Sequence, residues 1–256
     1  MKPVNIFVVN PNTSGSMTAT IAAAAQAVAA PGTHIMTSNP QDGPPSIEGY
    51  ADGAYAVPGM LDLLRGAERD GCDGYIIACF DDTGLDAARS CVSGPVVGIG
   101  EAGFHCASLI ANRFSVVTTL AQSIPIIEHN LLRYGLATRC AAVRTAEIPV
   151  LDLEENRAAA LHAIGTEIAR ARHEDGCEAI VLGCSGMADF TDELSEIGGI
   201  PVIEGTSCAV KLVEGLLSLG LKTSKACGYA SPRPKRFAGS LASASFTTPT
   251  GREGRN

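Results

Sequence analysis

The chain has 256 residues, 46% of them hydrophobic and 18% charged, with a formal net charge of −8. Such a chain buries a sizeable core and is not disordered. The negative balance offers no basic stripe to displace phosphate counterions, which excludes nucleic acid as an expected partner and leaves small molecules open.

In chain order, the first seven residues lack the charged-then-apolar build of a secretory leader. A β-branched run predicts a strand over 4–9, followed by an Ala-rich helix over 16–30. A helix over 54–70, a strand over 74–78, a helix over 86–93 and a strand over 96–99 complete the first half. The second half reads as a strand over 114–118, helices over 124–134 and 154–175, strands over 179–182 and 201–203, and a helix over 208–219. The near-continuous apolar strands suit a parallel sheet covered on both faces, and the βαβα order makes the chain an α/β protein. No apolar run approaches the ~20 residues that span a bilayer, so the expectation is a soluble, cytoplasmic protein with no membrane partner. From residue 231 the chain turns to Pro, Ser, Gly, Thr and basic residues without apolar periodicity, and 231–256 is expected to be a disordered tail.

The chain also repeats itself. The stretch Asp-Gly-Cys-Asp-Gly-Tyr-Ile-Ile-Ala-Cys at 70–79 is answered by Asp-Gly-Cys-Glu-Ala-Ile-Val-Leu-Gly-Cys at 175–184, an offset of 105 from Cys72 to Cys177 and from Cys79 to Cys184. Gly-Pro-Val-Val at 94–97 is answered by Ile-Pro-Val-Ile at 200–203, and the opening strand more weakly by the one at 114–118. These matches predict two similar α/β lobes with mostly parallel sheets, related by a pseudo-twofold, with the active site in the cleft between them. The boundaries are 1–112 and 113–230, with about 206–230 free to pack back onto the first lobe.

The nine cysteines form no C-x-x-C pair, and the five histidines do not cluster with them at zinc-ligand spacing, so no metal site is expected. Cys79 and Cys184 each end a strand, where open parallel sheets bind ligands, and the neighbouring helix N-termini favour a thiolate. Two thiols facing each other across a cleft can take a proton from one face of a planar carbanion and return one to the other. The plainer reading of each is a buried packing cysteine, and Cys72 and Cys177, repeated at the amino ends of the strands, are read that way.

Several segments then resemble the hydantoin and allantoin racemases of the aspartate/glutamate racemase superfamily. They are Asn-Pro-Asn-Thr-Ser at 10–14, Ser-Ile-Glu-Gly at 46–49, Ala-Cys-Phe-Asp-Asp-Thr-Gly-Leu at 78–85, Arg-Phe-Ser-Val-Val-Thr-Thr at 113–119 and Val-Leu-Gly-Cys-Ser-Gly-Met at 181–187. The resemblance implies a cofactor-independent isomerase of cyclic ureides, with Cys79 and Cys184 as its acid/base pair. It implies substrate contacts at Asn10, Thr13, Ile47, Phe80, Thr118, Thr119, Gly183 and Ser185, and a homo-oligomer. Turn formation and helix capping compete with binding at Asn10, Thr13 and Thr118.

Amino-acid racemases of this kind carry Cys-Asn-Thr, whereas these cysteines precede Phe80-Asp81 and Ser185-Gly186. That favours a neutral ring over aspartate or glutamate. Asp81 is expected to point to solvent, and Glu48, Glu101 and Glu204 are read as solvated. The leading substrate is a 5-monosubstituted hydantoin and the alternative is allantoin. More distant are a maleate isomerase-like enzyme, an arylmalonate decarboxylase, which keeps one cysteine, and a non-catalytic small-molecule binding protein.

Overall fold

The structure, a computed structural model, describes residues 3–246. The first half runs β1 (Val4–Val9), α1 (Gly15–Val28), β2 (Thr33–Ser38), α2 (Tyr50–Arg69), β3 (Gly74–Ile77), α3 (Leu85–Cys91), β4 (Val96–Gly98) and α4 (Ile99–Ile110). The second runs β5 (Phe114–Thr118), α5 (Ile124–Arg133), β6 (Cys140–Thr145), α6 (Asp152–Glu155), α7 (Arg157–Arg170), β7 (Ala179–Leu182), α8 (Thr191–Gly198), β8 (Val202–Ile203) and α9 (Gly205–Ser218).

Among the described residues these strands form two four-stranded sheets, ordered β2-β1-β3-β4 and β6-β5-β7-β8. Every pairing is parallel. The two orders are the same, which is the structural form of the repeat. In each, the winding direction reverses between the first and third strands, and that switch point opens a crevice at their carboxyl ends.

Side chains alternate across each strand with period two. Ile6, Val8, Ile76, Phe114, Val116 and Val181 meet in one core shared by both halves, with Phe104 of α4 and Val210 and Val213 of α9. Phe7, Val9, Tyr75 and Ile77 face α2 and α3, while Val117, Ile180 and Leu182 face α7 and α8. Thus α9, from the end of the second half, packs against the first sheet.

β2 and β6 are edge strands, and all six residues of β6 are only partly buried. A search for continuous apolar runs passes over such strands. α4 begins inside the predicted strand over 96–99, and its Gly-rich first turn hid it. The predicted helix over 154–175 divides at Asn156, whose side chain accepts a hydrogen bond from the Ala159 N–H and caps α7, and ends in a π-helical turn at Ala171–Asp175. Part of the expected disordered tail is structured: Gly239–Ala244 forms a 3-10 helix, Lys235 bridges Phe246, and Arg65 lies 4.7 Å over the Phe246 ring. Residues 247–256 of that expectation lie outside the described residues. Among the described residues no helix is long and apolar enough to cross a membrane.

Candidate active site

Cys79 follows β3 and Cys184 follows β7, the third strand of each sheet. Both line one small cavity of about 30 Å³. That is room for one or two water molecules. The remaining wall comes from Asn12, Met17, Ile47, Ala78, Phe80, Asp81, Thr119, Ser123, Val150, Gly183 and Ser185. It contains no Lys, Arg or His.

The Cys79 sulfur is 3.4 Å from the Thr83 hydroxyl. Burial pushes its thiol far above the ordinary range and the Asp81 charge adds to the shift, while the Thr83 hydroxyl and a backbone N–H of Asp81 work against it. Both larger effects favour the neutral Cys79 thiol over its thiolate.

Asp82 fixes the loop that carries it. The Asp82 N–H donates to the Cys79 carbonyl at 3.0 Å, and the residue sits at φ 50°, a left-handed turn that Asp tolerates. Its buried carboxylate accepts from the Gly100 N–H at 3.0 Å, the Glu101 N–H at 2.8 Å and the Tyr134 hydroxyl at 2.7 Å. A Cβ at Gly98 would collide with this carboxylate, so glycine there allows the approach.

In the second half, the Thr118 hydroxyl donates to the Gly183 carbonyl at 2.9 Å, and a Cβ on Gly183 would stand 2.5 Å from the Thr118 Cβ. Glycine thereby lets β5 and β7 close up immediately before Cys184. The Cys184 carbonyl then accepts from the Met187 N–H at 3.1 Å, starting the 3-10 helix Ser185–Phe190.

Of the expected contact residues, Ile47, Phe80, Thr119, Gly183 and Ser185 line the cavity with the two cysteines. Asn10, Thr13 and Thr118 are not part of that lining. The Asn10 amide donates to Asn12 at 2.8 Å and Thr18 at 3.0 Å, which shapes the turn into α1. Thr13 donates from its backbone to the Pro44 carbonyl.

Asp81 differs from expectation. The residue lines the cavity instead of facing water, and the Asn130 amide donates to the Asp81 carbonyl at 2.9 Å. One carboxylate oxygen is buried without a hydrogen-bond partner. Burial raises its pKa to about 7 despite a hydrogen bond from Ser123.

The three glutamates are not solvated either. Glu48 accepts from the Val150 N–H at 2.8 Å, Glu101 pairs with Arg89 at 2.5 Å, and buried Glu204 caps α9 through the Thr206 and Ser207 N–H groups. Asn12, Met17, Ser123 and Val150 were not foreseen in the wall. Asn12 had a signal in the Asn-Pro-Asn-Thr-Ser turn; Ser123 and Val150 lie outside any periodic segment. Among the described residues no group of three or more His, Cys, Asp or Glu side chains could hold a metal ion.

The family model described as Asp/Glu/Hydantoin racemase matches residues 6–213. A hydantoin racemase from Rhizobium meliloti is 49% identical over 236 residues, covering 92% of this chain and 98% of that protein. An allantoin racemase structure from Klebsiella pneumoniae superposes with a TM-score of 0.92 at 48% identity, covering 94% of this chain and 99% of that one. A glutamate racemase from Francisella tularensis, at 17% identity and a TM-score of 0.63 over 87% of this chain and 84% of that one, shares the fold.

Proposed function

The chain belongs to the Asp/Glu/Hydantoin racemase family and is a racemase, and from that premise we propose that it interconverts the D and L forms of 5-monosubstituted hydantoins through a thiol pair, Cys79 and Cys184. The observation that carries the reading is that these two cysteines, from equivalent strand ends of the two halves, line the same cavity.

The C5 proton of a hydantoin lies between a ring carbonyl and a ring nitrogen, so its carbanion is delocalised and the chemistry needs neither metal nor cofactor. Cys184 as a thiolate removes the proton from one face while the Cys79 thiol delivers its proton to the other, which leaves Cys184 as the thiol and Cys79 as the thiolate. The opposite enantiomer reacts with the roles exchanged.

A neutral ring fits this wall better than an amino acid. An α-carboxylate would find no cationic side chain there and would meet the Asp81 carboxylate instead. Allantoin, itself a hydantoin, satisfies the same requirements.

The test is circular dichroism of an enantiopure 5-substituted hydantoin with purified protein, a chelator and no added cofactor. Decay of the optical signal to zero with unchanged ring absorbance is the expected result. A stable signal with both hydantoins and allantoin would sink the reading.

A further inference from the structure

We propose that Cys106 and Cys208 are a second thiol pair, outside the active site, which closes to a reversible disulfide under hydrogen peroxide and cross-links the two halves of the repeat. The inference goes beyond the racemase reading and does not depend on it.

The pair sits on equivalent helices. α4 follows β4 and α9 follows β8, the fourth strand of each sheet. Two glycines bring these helices together. A Cβ on Gly205 would collide with the Ile99 carbonyl, and one on Gly103 would stand 3.8 Å from the Gly205 Cα. Cys106 and Cys208 each lie three residues beyond one of these glycines, about a turn further along the same side of its helix. Both side chains pack on the core shared by the two halves, and both residues keep some contact with solvent. The two thiols are hydrogen-bonded to each other, so the sulfurs are neighbours before any oxidant arrives.

That hydrogen bond also selects the nucleophile. With Cys208 donating its S–H, the Cys106 thiolate is favoured and the Cys106 pKa falls below the ordinary thiol value despite partial burial. Burial pushes Cys72, Cys79, Cys91, Cys140 and Cys177 the other way. The thiolate is the form that attacks peroxide. The Cys106 sulfur bonds to one peroxide oxygen, the O–O bond breaks, and the other oxygen leaves as water, so that Cys106 becomes a sulfenic acid. The Cys208 sulfur then forms the S–S bond and displaces the sulfenic hydroxyl, which takes the Cys208 proton and leaves as water. Two thiols and one hydrogen peroxide thus give one disulfide and two waters. The link closes a loop of about a hundred residues, which restricts the unfolded chain and fastens α9 to α4. Cys79 and Cys184, which line the cavity, are left reduced.

The experiment adds graded hydrogen peroxide to the reduced full-length protein, alkylates the remaining thiols and maps all nine cysteines by peptide mass spectrometry without reductant. The Cys106–Cys208 linked peptide should appear before any change at Cys79 or Cys184. It should vanish with dithiothreitol, and the oxidised protein should melt about 5–10 °C higher than the reduced one. In Cys208→Ser, which has no resolving thiol, Cys106 should accumulate as sulfenic or sulfinic acid. Mapping of the wild type decides the matter even where that variant does not fold. Oxidation of Cys79 or Cys184 before the link forms, or Cys106 bridged to a different cysteine, overturns the inference and leaves the racemase reading intact.

Discussion

The carboxylate of Glu48, just before α2, accepts a 2.8 Å hydrogen bond from the backbone N–H of Val150, just before α6. Ile47 and Val150 both line the cavity, so this bond joins the two halves beside the site. A hydrogen bond to a charged acceptor contributes about 1.5–3 kcal/mol when sheltered, and this partly exposed one should sit at or below that range. Glu48→Ala should therefore destabilise the protein by roughly 1 kcal/mol and speed hydrogen exchange at the Val150 amide several-fold, while Glu48→Gln, which keeps an acceptor oxygen, should stay near the wild type. Unchanged protection of Val150 in the alanine variant would show that the bond does not hold the two segments together.

The two cysteines carry a sharper expectation. Cys79→Ser and Cys184→Ser should each lower racemisation by about 10²–10⁴-fold, the usual size of a general acid–base contribution, with the fold intact. In heavy water each variant should still exchange the C5 proton of one enantiomer, and the favoured enantiomer should differ between the two. Proton NMR of enantiopure substrates reads this directly. Near-wild-type racemisation by either variant would contradict the pairing.

How far the sequence anticipates this arrangement depends on the range of the forces involved. β1, β3, β5 and β7 are central strands buried on both faces, so their apolar runs and the repeat of Cys79 at Cys184 announce themselves locally. β2 and β6 are edges with mixed exposure and leave no such trace. The Asp81 carbonyl is held by Asn130, and the Asp82 carboxylate by Tyr134 and the start of α4, all distant in sequence. No local pattern around residue 81 reports those partners. The Glu48–Val150 contact is hidden for the same reason, since both residues lie between regular elements.

Asp81 should also make stability depend on pH. Burial raises its folded-state pKa to about 7, well above the unfolded value near 4. Between those limits the folded protein binds more protons than the unfolded chain, so this group's contribution is present below about pH 4 and is lost as pH rises through about 7. Urea unfolding of the wild type and Asp81→Asn at pH 5 and pH 8 isolates the effect. The wild type should lose on the order of 1–3 kcal/mol more than the variant across that interval. The same substitution removes a charge that disfavours the Cys79 thiolate, so iodoacetamide should modify Cys79 faster in the variant at neutral pH. Equal slopes and equal alkylation rates would mean that the Asp81 side chain is solvated.

Asp82 allows the positioning of Cys79 to be separated from its chemistry. Its carboxylate gathers three donors, from Gly100, Glu101 and Tyr134, and its own N–H holds the Cys79 carbonyl. Asp82→Ala leaves those donors without their acceptor and should cost about 3 kcal/mol or more, whereas Tyr134→Phe removes one bond and should cost about 1 kcal/mol. The consequence for activity is separate from stability. A displacement of about 1 Å at a reacting group can cost about a hundredfold in rate. At a temperature where Asp82→Ala remains folded by circular dichroism, its kcat should therefore fall by about that factor, and Tyr134→Phe should lose only a few-fold. Because neither side chain lines the cavity, KM should move far less than kcat in both. A folded Asp82→Ala protein with wild-type kcat would mean that Cys79 is placed by β3 alone.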